Sequence, residues 1–124
     1  MNVGLIGFGA INQDIYKYFL RNNNFNVNFK KILVRNFEKY VKHDLSIITD
    51  SPEDFLNEKL DYVIECAGHE SVFSFGEKVL KNKSNLMITS TGALTDDNLL
   101  NNLLLLSKKY NKKIIIPSAG IGAL

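Results

Sequence analysis

A chain of 124 residues with 45% apolar and 23% charged residues has the length and composition of one globular domain with a core of its own. A net charge of +2 gives no electrostatic case for a nucleic-acid partner or a membrane surface, and one cysteine excludes an internal disulfide framework and a cysteine-based zinc site. No spacing of ligand-type residues points to a metal, and no apolar run nears the roughly 20 residues of a membrane span. Glycines and polar residues interrupt the N-terminal apolar run, unlike a signal peptide, so a cytoplasmic location is expected.

In chain order, Val3, Leu5 and Ile6 form a short apolar run of strand length. It ends in Gly7-Phe8-Gly9-Ala10-Ile11-Asn12, and a helical pattern follows at once. Strand, glycine turn and helix form the context in which a G-x-G string reads as a dinucleotide-binding loop. Gly7 would permit the tight turn, and Gly9 the close approach of backbone to a pyrophosphate. The free N–H groups and dipole of the following helix would hold its charge. The third motif position, usually Gly or Ala, is Asn12, and Gly4 within the strand offers another point of close approach. The competing reading is a glycine turn that binds nothing.

Ala10 to Arg21 is the expected first helix, with Ile11, Ile15, Tyr18 and Phe19 on its apolar face. Asn22, Asn23 and Asn24 end it in a loop. Phe29 to Val34 is the second strand, a short helical turn follows around Phe37, Tyr40 and Val41, and Leu45 to Thr49 is the third strand. Ser51 caps a short helix that starts at Pro52 and ends near Glu58. Asp61 to Glu65 is the fourth strand, with Asp61 and Glu65 as polar strand ends. His69 to Lys81 is a helix with Val72, Phe73, Phe75, Val79 and Leu80 inside. Leu86 to Thr89 is the fifth strand. Thr95 is the expected cap of a long helix reaching Tyr110, with an apolar stripe from Leu99 to Leu106. Lys113 to Ile116 is the sixth strand. This alternation predicts an α/β fold: a doubly wound parallel sheet of the Rossmann type, about six strands, with helices on both faces.

Ligands of such sheets bind beyond the carboxyl ends of the strands. The residues there are Gly7, Phe8, Gly9, Ala10 and Ile11, then Arg35, then Cys66, Ala67, Gly68 and His69, then Ser90 and Gly92, and lastly the small-residue loop containing Gly120. Small residues dominate, which leaves room for a ligand lying across the tips. Arg35 follows Asn12 by 23 residues, at the tip where an acid would bind the ribose hydroxyl of NAD. An arginine there suits the 2′-phosphate of NADP, so NADP is favoured with NAD allowed. The competing reading of Arg35 is a solvated surface residue. Cys66 reads as a packing residue, with a nucleophile as the alternative. His69 is the candidate acid–base group, with a role in lining the pocket as the alternative, and His43 is expected to be exposed.

These motifs resemble those of the L-aspartate dehydrogenases. GLIGFGAI at the start, VIECAGHESV after the fourth strand, TSTGAL after the fifth and IPSAGIGAL at the end occur in the same order and at similar spacing. The resemblance covers the whole chain. It implies hydride transfer from the α-carbon of L-aspartate to a nicotinamide, giving iminoaspartate or oxaloacetate and ammonia. It matches Gly7, Gly9, Ala10 and Ile11 to the pyrophosphate loop, and Cys66, Ala67, Gly68 and His69 to the loop beside the nicotinamide. Ser90 and Gly92 match the next loop, and Gly120 the last cofactor contact. The last loop reads Ala119-Gly120 where the family usually has Gly-Ala.

The family's substrate and dimerisation half, with its catalytic histidine, has no counterpart in these residues. No arginine pair suited to a dicarboxylate is found. Residues 1–124 are therefore expected to be the NAD(P)-binding domain alone, truncated and inactive by itself. The longer enzyme would act on a small amino acid and form homo-oligomers. The alternatives are a stand-alone, non-catalytic NAD(P)-binding module, such as a redox sensor or partner subunit, and a domain for another adenine ligand such as coenzyme A.

Overall fold

Alternation along Asn2–Ile6 (β1) sends Val3 and Leu5 to one side of a sheet and Ile6 to the other, and neighbouring strands repeat the pattern. The computed structural model describes residues 1–117. The other strands are Asn28–Leu33 (β2), Ile48–Thr49 (β3), Tyr62–Glu65 (β4), Asn85–Ile88 (β5) and Ile114–Ile115 (β6). They form one parallel sheet in the order β3-β2-β1-β4-β5-β6. This is the doubly wound α/β sheet that the alternation of elements predicts. The order reverses at β1, which pairs with β2 on one side and β4 on the other.

Helices cover both faces. Ala10–Arg21 (α1) and the 3-10 segment Phe37–His43 pack over Val3, Leu5, Ile32, Val34 and Ile48. Pro52–Leu56 (α2), His69–Lys81 (α3) and Asp97–Tyr110 (α4) pack over Ile6, Leu33, Val63, Leu86 and Ile88. Among the described residues, no helix is long and apolar enough to cross a membrane.

Several local expectations shift. Helix α1 turns Asn12, Ile15, Tyr16 and Phe19 inward, while Ile11 and Tyr18 are more than half exposed at 58% and 51%. Periodicity alone allowed both stripes, and contact with Phe8 and Phe29 selects the one carrying Tyr16. Phe73 on α3 and Leu104 on α4 are exposed, not interior. Asp96, not Thr95, caps α4: its carboxylate accepts from Leu99 N at 2.9 Å, and the Thr95 hydroxyl donates to Gly92 O. Strand β3 is only two residues long. Leu45 and Ile47 pack against the sheet from outside it. His43 is half-buried, its ring edge-on to Phe8 and stacked on Tyr40.

Gly4 does provide a close approach, but to the core. A Cβ at Gly4 would lie 2.6 Å from Leu60 Cδ1 and 2.8 Å from Phe55 Cζ. Both side chains are buried in the cluster under α2 and α3. Gly4→Ala is expected to destabilise the domain by about 1–3 kcal/mol through this overpacking. A lower urea midpoint at unchanged denaturant slope would show it.

Candidate functional site

The strand-order reversal opens a crevice at the carboxyl ends of β1, β2 and β4. A cleft of about 300 Å³ lies there, with Gly7, Val34, Arg35, Asp50, Pro52, Ala67, Ser71 and Phe75 among its walls. Gly7, Arg35 and Ala67 were legible in the sequence. Asp50, Ser71 and Phe75 were not, because nothing in their spacing distinguishes them from ordinary loop and helix residues.

The glycine turn has the backbone its sequence demands. Gly7 has φ +91°, in the region that favours glycine, and a Cβ there would lie 2.9 Å from the Ala67 methyl. Asn12, the departure from the usual third motif position, proves structural. It is fully buried, and its Nδ2 donates to Gly7 O at 2.8 Å and to Ile6 O at 3.2 Å. Gln13 Nε2 donates to Phe8 O at 2.7 Å. The first turn of α1 thus holds the carbonyls of the loop that precedes it. Phe8 is buried at 3% exposure with its ring against Tyr16, Tyr40 and His43, so the ring is not offered to a ligand.

The helix starts differ in a consistent way. Helices α2 and α4 are capped by Ser51 and Asp96 side chains. Helices α1 and α3 begin at Gly9 and Gly68, with no side-chain cap bond. The first turn of a helix has N–H groups without intrahelical acceptors, and a positive dipole end. At α1 no acidic side chain occupies that turn. An anion lying over Gly9, Ala10 and Ile11 would therefore meet unopposed positive charge.

Arg35 projects from the tip of β2 into solvent. Its side chain is 81% exposed, and Nη2 lies 3.0 Å from Glu70 Oε2 on α3. An ion pair this exposed is weak in water, so a phosphate could displace Glu70 from it.

Glu65, read from the sequence as a polar strand end, is 1% exposed. Its Oε2 accepts from Ala67 N at 2.8 Å and Gly68 N at 3.0 Å, and lies 2.8 Å from both Ser71 Oγ and Ser90 Oγ. Its Oε1 accepts from Ser90 N at 3.1 Å. Ser90 Oγ also accepts from Gly68 N at 3.0 Å. Burial pushes the carboxyl pKa up, but the Ser71, Ser90 and Ala67 donors together outweigh it and hold the group below its ordinary value. The signal in the sequence was an acid ending an apolar strand with serines nearby, which is too common to single out.

Cys66 is half-buried beside this carboxylate. Burial pushes its thiol pKa up, a hydrogen bond with Thr89 opposes this in part, and the Glu65 charge adds to the rise. Both burial and the Glu65 charge favour the neutral thiol over the thiolate. His69 opens α3 at the surface, and its imidazole occupies the space where a Cβ on Gly92 would stand. The structure thus brings His69 and Gly92 together, and Gly68 and Ser90 beside them. Gly120 falls among residues 118–124, outside the described residues.

Glycine turn, parallel sheet and the uncapped start of α1 define a dinucleotide-binding domain of the doubly wound class. Residues 7–117 match the family model described as homoserine dehydrogenase, NAD binding domain, and the chain belongs to that family. L-aspartate dehydrogenase of Methanocaldococcus jannaschii is 35% identical over 127 residues, covering 100% of this chain and 48% of that protein. L-aspartate dehydrogenase of Archaeoglobus fulgidus is 31% identical over 124 residues, covering 100% of this chain and 49% of that one. The crystal structure of aspartate dehydrogenase from Thermotoga maritima superposes with a TM-score of 0.67 at 26% identity, over 95% of this chain and 46% of that one. The chain spans about half the length of these relatives.

The depressed carboxyl of Glu65 couples folding to pH. Its folded pKa lies below the unfolded value of about 4.5. Its contribution is therefore complete above that pH and is lost as the pH falls through the lower folded value. Urea midpoints measured from neutral pH to about pH 3 are expected to fall in the wild type and to fall less steeply in Glu65→Gln. The remaining slope would come from groups such as Asp54, which hydrogen bonds from Lys31 and Thr49 also hold low.

Proposed function

We propose that these residues are the cofactor-binding half of an L-aspartate dehydrogenase that favours NADP and accepts NAD. The observation that carries the reading is the start of α1, left beside the glycine turn with no side-chain cap and no acid in its first turn. The residues fit a dinucleotide. The backbones of Gly7, Phe8, Gly9, Ala10 and Ile11 hold the pyrophosphate, and Arg35 exchanges Glu70 for the 2′-phosphate. Cys66, Ala67, Gly68 and His69, with Ser90 and Gly92, wall the nicotinamide end. Gly120 is assigned there from the resemblance alone. When bound, the nicotinamide supplies the hydride acceptor for the α-carbon of L-aspartate, giving iminoaspartate and then oxaloacetate and ammonia.

The chain's own part is to bind and orient. Backbone N–H groups neutralise the pyrophosphate at α1, and the small residues at Ala67, Gly68 and Gly92 let the ring approach. His69 is the one imidazole beside that wall among the described residues. A hydride transfer also requires the α-carbon to be held over the ring and a base to take the amine proton. The half of the relatives' length that this chain does not match is assigned that work, so residues 1–124 alone are inactive in this reading. A cytoplasmic, homo-oligomeric enzyme belongs to the same reading. Self-association is supported by the apolar groove between α1 and the sheet, walled by Met1, Ile15, Tyr62, Ile64 and Met87.

Two measurements test this. Nicotinamide fluorescence on titration with NADPH and with NADH is expected to show tighter NADPH binding. Arg35→Ala should lower the NADPH affinity about tenfold, leaving NADH nearly unchanged. Equal binding of both cofactors by wild type and variant would remove the role of Arg35. L-aspartate-dependent NADPH formation should be absent for the 124-residue chain and present for a protein of the relatives' full length. Full turnover by the short chain would overturn the division of labour.

A further inference from the structure

The hydrogen-bond ladder between β4 and β5 ends where Thr89 N donates to Glu65 O at 3.1 Å. Beyond that point the two strand tips diverge into the loops that carry Cys66 to His69 and Ser90 to Gly92. The Glu65 side chain turns back under both. It takes the N–H groups of Ala67 and Gly68 from the first loop, and the N–H and hydroxyl of Ser90 from the second. The Ser71 hydroxyl, in the first turn of α3, reaches the same oxygen. None of these donors belongs to the apolar core.

A buried charge placed only for stability has no reason to draw its partners from two ligand-facing loops. Lost from this position, it would leave buried donors on both without an acceptor. One residue further out the two loops meet again, where the exposed imidazole of His69 lies over Gly92.

We propose that Glu65 is the positioning residue for the nicotinamide end of the cleft: by clamping the β4 tip to the β5 tip, it sets the wall formed by Gly68, His69, Ser90 and Gly92. This rests on the reading of a nicotinamide dinucleotide in the crevice. Glu65 touches no ligand and acts through the two loops. The adenosine end, at Arg35 and the glycine turn, shares none of its hydrogen bonds.

The test compares two ligands on three proteins. NADPH and 2′-phospho-ADP-ribose share the adenosine phosphates, and only the first carries a nicotinamide. Wild type, Glu65→Gln and Glu65→Asp are titrated calorimetrically with each, with thermal melts to establish folding. Wild type is expected to hold NADPH more tightly than the fragment. Both variants should lose NADPH affinity, on the order of tenfold for Glu65→Gln, while fragment affinity stays as in wild type.

Equal loss of both ligands would mean a merely structural carboxylate and would overturn the proposal. Unchanged binding of both by the folded variants would overturn it too. Should Glu65→Gln fail to fold, Glu65→Asp decides by the same comparison, since it keeps the charge, leaves every wall residue unchanged and draws the carboxylate back from both loops. A wild type that binds neither ligand would overturn the cofactor reading itself, and this proposal with it.

Discussion

A carboxylate buried at the end of a central strand is tolerable only if donors reach it from all sides. Taking its charge out of water costs several kcal/mol, and charge-assisted hydrogen bonds must offset that. Glu65 meets this constraint with donors from the loop after β4, the first turn of α3 and the tip of β5. The conformation of that region follows. Cys66 N still donates to Ile6 O, and the chain then curls so that the N–H groups of Ala67 and Gly68 meet the carboxylate, with Gly68 at φ +119°. Helix α3 then starts at His69 with its first turn at the cleft. Burial, which alone would favour a neutral acid, is overridden by the donors, so the group stays ionised where it is needed as an acceptor.

The other half of the site depends on a neutral amide used in a similar way. Asn12 is buried beneath the glycine turn and holds Gly7 O and Ile6 O. A third glycine in this motif serves close packing of helix on strand. Here close packing is achieved with a larger residue, because its amide finds acceptors in the turn it would otherwise crowd. Both devices leave the helix N–H groups free of side-chain caps. An anion is the ligand that the start of α1, with no acid in its first turn, best accommodates, whereas Glu65 and Glu70 already bring negative charge to the start of α3. The contrast with α2 and α4, whose starts are capped by Ser51 and Asp96, separates structural helix ends from ligand-facing ones within one sheet.

Much of this was legible in the residues. The strand–helix alternation and the strand-tip positions of Gly7, Arg35, Ala67 and Ser90 follow from periodicity and turn chemistry, which are local properties. What was misjudged depended on contacts between distant segments. Ile11 and Phe73 satisfy helical periodicity but face solvent, since the sheet reaches only one of two acceptable stripes. Asp96 displaced Thr95 as a cap because the Thr95 hydroxyl is spent on Gly92 O. His43 looked exposed until Phe8 and Tyr40 closed on it. The role of Asn12 in place of the usual Gly or Ala became clear only from its acceptors, Gly7 O and Ile6 O.

The sequence by itself determined the class of fold and the edge of the sheet where a ligand would lie. Apolar periodicity, glycine placement and the order of elements are enough to specify a parallel sheet and its carboxyl ends. Only the tertiary structure decided which polar side chains are buried, and with what partners. Glu65 and Asn12 owe their roles to backbone groups that come within about 3 Å only after β1, β4 and β5 have aligned. A one-dimensional pattern records what a residue is and how far along the chain its neighbours lie. It does not record the donors and acceptors that folding brings to it, and for a buried charge those decide everything.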